Sequence, residues 1–377
     1  MTGKTLQLTE QQLELVNAKI PGRRFIDGPA GSGKTTAAVE YLHHLIHSGI
    51  SPQSILVLTP QRSLALPYRS VVRAKDFPAG AEITILTVGG LAQRMISLFW
   101  PMLGANSGFK HPTRAPQFLT LETSQYYLAQ IISPLLQKGY FESVTIDPNR
   151  IYSQVLDNLN KAAVVGFDLN EIAPRLQAAW SGATKQAVVY EQVQDCAVRF
   201  RKFCLEYNLL DYSLQFELFN KILWPSTLCQ KYLMGQYQHL IYDNIEEDVP
   251  AAHDILKTWL PNFDSALLIK DSEGGFRTFL GEDSISAQSL EGSCDQSVHF
   301  TDTFVQSPPV QQFEKQLSYA ISQHQTLHLD TVSDKSAFTI QSFRFYTQAI
   351  DWISAETRRL IFSEKVPPDQ IVVLTPF

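Results

Sequence analysis

"RRFIDGPAGSGKTTAAVEYL", residues 23–42, decides how the chain is read. From Gly28 to Thr35 it spells G-x-x-x-x-G-K-T, after an apolar strand-like run and at the opening of a helix. Glycines let backbone N–H groups close around phosphate oxygens where side chains would collide. The helix start adds its partial positive charge. Lys34 is placed to reach outer phosphates, and the Thr35 hydroxyl to ligate magnesium. The cradle is expected to comprise Gly28, Pro29, Ala30, Gly31, Ser32, Gly33, Lys34, Thr35 and Thr36. A glycine-rich turn that merely precedes a helix is the plain alternative. The strand–loop–helix context weighs against it.

The expected partner lies far downstream, in "HLIYDNIEEDVP", residues 239–250. Asp243 ends an apolar strand and is the candidate magnesium carboxylate, acting with Thr35, through a water. An aspartate in this place can equally cap the next helix. The following residue is normally a glutamate that polarises the attacking water, and here it is Asn244. Glu246 is the candidate for a displaced base, because residues 244 and 246 face alike if the strand runs on. The catalytic candidates are therefore Asp243, Asn244 and Glu246, with hydrolysis in doubt.

Five apolar runs punctuate the chain: "RRFIDG", "SILVLTP", "ITILTV", "HLIYDN" and "ALLIKD". They do not alternate with polar residues, as buried parallel strands do not. Helical stretches separate them, and Gly49 is placed to end the one after the glycine-rich loop. The pattern predicts an α/β fold with a parallel sheet. Residues 104–208 lack such strands and read as helices, an insertion far longer than a crossover needs. The expected division is 1–103 and 209–290 for the α/β domain, 104–208 for the insertion, and 291–377 for the start of a second α/β domain. "SPQSILVLTP" (51–60) echoes "PPDQIVVLTP" (367–376), as two copies of one fold would. The second copy then breaks off at Phe377, and the chain is expected to be a fragment.

Composition bounds the function. The chain has 377 residues, 44% hydrophobic, with a net charge of -6. That excludes a uniformly basic coat for nucleic acid but not a local basic groove. Its four cysteines have neither metal-ligand nor disulfide-scaffold spacing. No apolar run is long enough for a membrane helix, and no signal peptide opens the chain, so a cytoplasmic protein is expected.

In order along the chain, these segments resemble the UvrD/Rep family of superfamily 1 DNA helicases. "LTEQQLELV" is similar to the family's Q motif, which places Gln12 at the adenine edge. "ILVLTPQRSLALPYRSVV" and "ILTVGGLAQRM" stand at two DNA-contacting motifs, and "LLDYSLQFEL" at the Leu-Asp-Phe-Asp-Asp segment. "YDNIEEDVPAAHDIL" stands at Asp-Glu-x-Gln-Asp. "IKDSEGGFRTFLGED" resembles the third motif, with Asp271, Phe279 and Gly281 kept, and "FVQSPPV" stands at the fourth, with Ser307 kept. The resemblance implies a RecA-like P-loop NTPase domain with an inserted helical subdomain and the start of a second RecA-like domain. It implies ATP and Mg2+ as cofactors and single-stranded DNA as partner.

The departures are specific. Asn244 replaces the catalytic glutamate, Glu246 a glutamine, and Gly274 the glutamine that senses the terminal phosphate. Val305 and Gln306 replace the adenine-stacking tyrosine and the phosphate-contacting arginine. Pro60-Gln61-Arg62 and Gly89 replace DNA-contacting residues. Two readings follow: the ATP-binding half of an ATP-dependent DNA helicase, or a hydrolysis-impaired nucleotide-binding subunit with a partner in DNA repair or recombination. A small-molecule kinase shares the phosphate loop but leaves the Q motif unexplained.

A single strand is gripped by stacking on aromatics and by cations along its phosphates. Phe279 stands at the family's stacking position, or packs in the core. Arg62, Arg69 and Arg73 follow the second strand, and Arg69 and Arg73 share a face if the segment is helical. They contact DNA phosphates or form a solvated basic face. The insertion's Tyr126, Tyr127, Tyr140, Phe141, Tyr152 and Trp180 read mainly as core.

Overall fold

The computed structural model of the chain describes residues 7–74, 77, 82–182, 186–322 and 338–375. Residues through Phe304 form one compact unit, and those from Val305 a second.

In the first unit, α1 (Glu10–Val16) precedes β1 (Gly22–Gly28), and α2 (Lys34–His47) leads to β2 (Ile55–Leu58). Next come α3 (Leu66–Val72), β3 (Thr84–Leu86) and α4 (Val88–Asn106). α2 gives way at Ser48 to Gly49, whose φ of +84° is the left-handed conformation that stops a helix. Two short strands, β4 (Gln117–Phe118) and β5 (Leu209–Leu210), pair with each other and close the base of the insertion. Between them run α5 (Leu121–Leu136), α6 (Pro148–Val165), α7 (Ile172–Ala179) and α8 (Gln186–Tyr207). The chain returns through α9 (Tyr212–Leu218) and α10 (Thr227–Gln236) to β6 (His239–Tyr242). It then forms α11 (Pro250–Trp259), β7 (Ser265–Asp271), α12 (Ser284–Ser289) and β8 (Gln296–His299).

The sheet has the order β3-β2-β6-β7-β1-β8, and every pairing is parallel. Each of the five apolar runs read from the sequence is one of its strands. The runs are continuous because both faces are covered. In β2, Ile55 and Val57 pack with α2 and α3 residues such as Leu42 and Tyr68, while Leu56 and Leu58 join the opposite core. That opposite core continues without a break into the insertion through Leu128, Val155, Leu159 and Phe200. Of the insertion's aromatics, Phe141 and Tyr152 are buried, whereas Tyr126 and Trp180 are exposed.

The expected boundary between 290 and 291 needs correction. β8 lies beyond it yet pairs with β1, Arg24 opposite Gln296. This edge strand is largely exposed and polar, so it lacks the apolar signature of its neighbours. The Arg23–Asp295 ion pair at 2.9 Å helps hold its start.

The second unit contributes α13 (Pro308–Ser322) and α14 (Tyr346–Phe362). The expected strand in "QIVVLTP" is not formed. Residues 371–375 follow a 3-10 turn at Pro368–Gln370 but have no strand partner among the described residues, and Val372, Val373 and Leu374 are exposed. Pro376 and Phe377 lie outside the described residues.

Candidate functional site

The strand order fixes what can meet. β7 lies between β1 and β6, with Gly28 opposite Asp271 and Tyr242 opposite Leu268. The loops that leave these three strands therefore converge at one edge of the parallel sheet, where such sheets place ligands.

After β1 the backbone turns through Gly31 (φ +77°) and Gly33 (φ +80°), conformations a β-carbon disfavours. Gly28 is also sterically required, since a Cβ there would lie 2.6 Å from the Phe300 carbonyl oxygen. Lys34 opens α2 with its side chain curled under the loop and buried. Its Nζ donates to the carbonyls of Gly28 (2.6 Å) and Pro29 (2.7 Å) and pairs with Asp271 at 3.3 Å. The two carbonyls are neutral acceptors, which an anionic phosphate oxygen can displace. Ala30 is exposed at the loop crest, Ser32 is buried, and Thr36 is half-buried in the first turn of α2.

Asp243 faces this loop. Its Oδ2 accepts from Thr35 Oγ1 at 2.8 Å and from Tyr68 OH at 2.7 Å, and its Oδ1 from the Asn244 N–H at 3.0 Å. It does not cap α11, whose N-cap is Val249. Burial pushes its carboxyl above the ordinary range, while the Tyr68 and Thr35 hydroxyls pull the other way. Tyr68 is fully buried on α3 and was not singled out from the sequence, where it reads as one more core aromatic.

Asn244 adopts φ +58°, ψ +45°, a left-handed conformation that asparagine tolerates far better than most residues. The strand ends at Tyr242, and residues 245–247 form a 3-10 turn instead of running on. Glu246 and Asn244 nevertheless approach, with Nδ2 3.4 Å from Oε1. Glu246 is fully buried, and its Oε2 accepts the Asp271 N–H at 2.9 Å. Desolvation pushes its pKa up to about 7. It is thus enclosed and does not face an open cleft. A Cβ on Gly274 would sit 2.8 Å from its Cγ and Oε1, so its carboxylate fills the space a side chain at 274 would need.

Gln12 is buried, and both ends of its amide are engaged. Oε1 accepts from the Thr9 N–H at 3.0 Å, and Nε2 donates to the Ser32 carbonyl at 3.2 Å. It caps α1 and braces the phosphate loop, leaving one amide hydrogen and one lone pair for a base edge. Beside it is a cleft of about 150 Å³ bordered by Thr9, Gln11, Phe300 and Phe304. Phe304 is exposed, and its N–H donates to the Gly31 carbonyl at 3.0 Å. Its place next to Val305, where the resemblance expects a stacking tyrosine, was the only sequence signal for it.

A second cleft, of about 230 Å³, opens beyond β2 and β3. Arg62 and Arg69 line it together with Thr59 and Thr87, and both arginines are exposed. Arg73, at the end of α3, is exposed but does not line it. Phe279 is 65% exposed and Phe276 83%, so neither is core. Phe276 went unremarked in the sequence because only its position in a loop distinguishes it from any apolar residue.

The donors near Lys34 are oxygens: the Thr35 hydroxyl and the Asp243 carboxylate. Among the described residues no group of three or more His, Cys, Asp or Glu side chains could hold a metal. One carboxylate and one hydroxyl fit a hard cation that arrives with phosphate oxygens, as magnesium does. Among the described residues, no helix is long and apolar enough to cross a membrane. No curated protein matches the chain. Comparison with protein families matches residues 8–273, more than half of the chain, to the UvrD/REP helicase N-terminal domain. With this match over the parallel sheet, its phosphate loop and its helical insertion, the chain belongs to the UvrD/REP helicase family.

Proposed function

We propose that this chain is the ATP-binding half of a UvrD/Rep-type DNA helicase in which nucleotide binding is kept and hydrolysis is nearly lost. The observation that carries the reading is the 2.8 Å hydrogen bond between Thr35 and Asp243 beside the buried Lys34, which brings together residues 208 positions apart in the chain. Lys34 would move onto the outer phosphates of ATP, and Thr35 and Asp243 would hold Mg2+. Bound magnesium neutralises charge across those phosphates. The base would lie against Phe304 and the free edge of Gln12.

Water activation is the weak step. Asn244 carries no carboxylate, and an amide cannot take a proton as a general base does. Glu246 is enclosed by Asp271, Asn244 and Gly274. Gly274 offers no side chain to orient a water or sense a terminal phosphate. Single-stranded DNA would lie along Arg62 and Arg69 and stack on Phe279 and Phe276. Such a protein suits a nucleotide-binding role with a partner in a DNA repair or recombination complex, in the cytoplasm.

Calorimetry with Mg-ATP tests the binding claim: a folded chain that binds no ATP refutes it. Steady-state turnover tests the second claim. DNA-stimulated hydrolysis near about one per second, lost in Lys34→Ala, refutes the loss of hydrolysis.

A further inference from the structure

Two adjacent carboxylates on the 3-10 turn after β6 face different ways. Glu246 takes the Asp271 N–H, and the Asp271 carboxylate pairs with Lys34. Glu247 turns outward to two segments remote in sequence. Its Oε2 accepts from Gln61 Nε2 at 2.9 Å and from Arg277 Nη2 at 2.5 Å. Gln61 immediately precedes Arg62 of the basic cleft, and Arg277 lies between Phe276 and Phe279. Arg277 is held a second time by Glu282, through Nη2 to Oε1 at 2.7 Å and its N–H to Oε2 at 2.9 Å, and Glu282 is itself buried. The loop is further tied to the turn by the Asp283 N–H, which donates to the Asp248 carbonyl at 3.1 Å.

We propose that Glu247 is a positioning residue that couples the nucleotide cradle to the single-strand-binding surface by holding the Arg62 segment and the Phe276–Phe279 loop to the turn that follows Asp243. The inference rests on the function proposed above and adds a route between its two sites. A half-exposed ion pair contributes little stability on its own. Glu247 matters through geometry: one oxygen fixes two recognition segments, at the end of the 3-10 turn that starts from Asn244. A phosphate that draws Lys34 off Gly28 and Pro29 also changes the partner of Asp271. Asp271 is one hydrogen bond from Glu246, the residue beside Glu247. Energy passes between sites only if both bias the same element, and this turn is the element both touch.

The test is the ratio of affinities for a labelled oligothymidylate with and without Mg-ATPγS, measured by fluorescence anisotropy on the full chain. Wild type is expected to show a ratio of about fivefold or more. Glu247→Ala is expected to bring the ratio to one while Mg-ATPγS affinity without DNA stays within about twofold of wild type. Linkage requires the same loss of coupling when DNA is present and nucleotide is titrated. Glu247→Gln keeps an amide oxygen that can accept from both Gln61 and Arg277 and leaves the Arg277–Glu282 pair intact. It is expected to retain most of the ratio, which mere loss of folding in Glu247→Ala would not explain. A wild-type ratio of one, or an unchanged ratio in Glu247→Ala, overturns the coupling role and leaves the proposed function standing. A folded wild type that binds neither nucleotide nor DNA overturns both.

Discussion

Glu246→Gln separates the burial of this carboxylate from its charge. The glutamine keeps an acceptor for the Asp271 N–H and nearly the same volume, but cannot ionise. In the folded chain the Glu246 pKa rises from 4.5 to about 7, chiefly through desolvation. The folded state therefore holds a proton between those values that the unfolded chain has lost. Stability from this group is fully present below about 4.5 and falls as pH rises through about 7. The full cost of ionising the buried carboxylate is about 3 kcal/mol. Urea unfolding followed by tryptophan fluorescence, from about pH 5 to about pH 8.5, reads it directly. Glu246→Gln is expected to match wild type within about 1 kcal/mol at the acid end and to exceed it by about 3 kcal/mol at the alkaline end. Buried His253, whose pKa is lowered by desolvation, titrates in both proteins and cancels in the difference. A difference that stays below about 1 kcal/mol across the whole range would show that Glu246 is not enclosed as described, and would reopen its candidacy as a base.

Four further outcomes are expected. Lys34→Ala removes the buried cation under the phosphate loop and should abolish measurable Mg-ATP binding by calorimetry while leaving the circular dichroism spectrum unchanged. Asn244→Glu should not restore ATP turnover, because groups that act as a unit are not additive; it should also lower stability by about 1 kcal/mol, since glutamate is strained at φ +58°. Arg62→Ala with Arg69→Ala should flatten the dependence of log affinity for single strands on log salt by up to about 1.4, against little change for Arg73→Ala, whereas Phe279→Ala should weaken binding without altering that slope. Gly274→Ala should cost about 1–3 kcal/mol in urea unfolding through its clash with Glu246, and most of that loss should vanish in a Glu246→Ala background.

The sequence alone determined five of the six strands of the sheet, the phosphate loop and Asp243, because each is written in contiguous residues with a local physical cause. An apolar run buried on both faces cannot be mistaken for a solvated loop, and Gly28 to Thr35 form a cradle from their own backbone. Local signals also set the two echoing segments alike. Pro52–Ser54 and Pro368–Gln370 both form a 3-10 turn and lead into extended backbone at Ile55 and Ile371. Only the first becomes a strand, because a strand exists by hydrogen-bonding to a neighbour, and β2 has β3 and β6 on either side. The polar edge strand β8 is the converse case, invisible in composition and fixed by pairing with β1. Tertiary structure also decided what the acidic run after β6 does. In the sequence Glu246 and Glu247 are adjacent acids after the missing base, and Glu246 is preferred only on the strand's alternation. The 3-10 turn sends one inward to the Asp271 N–H and the other outward to Gln61 and Arg277, contacts made across 25, 186 and 30 residues of chain. Side-chain direction at such a turn follows from the φ and ψ of Asn244 and from the strands that bring those partners near, and neither is a property of residues 243–247 taken alone.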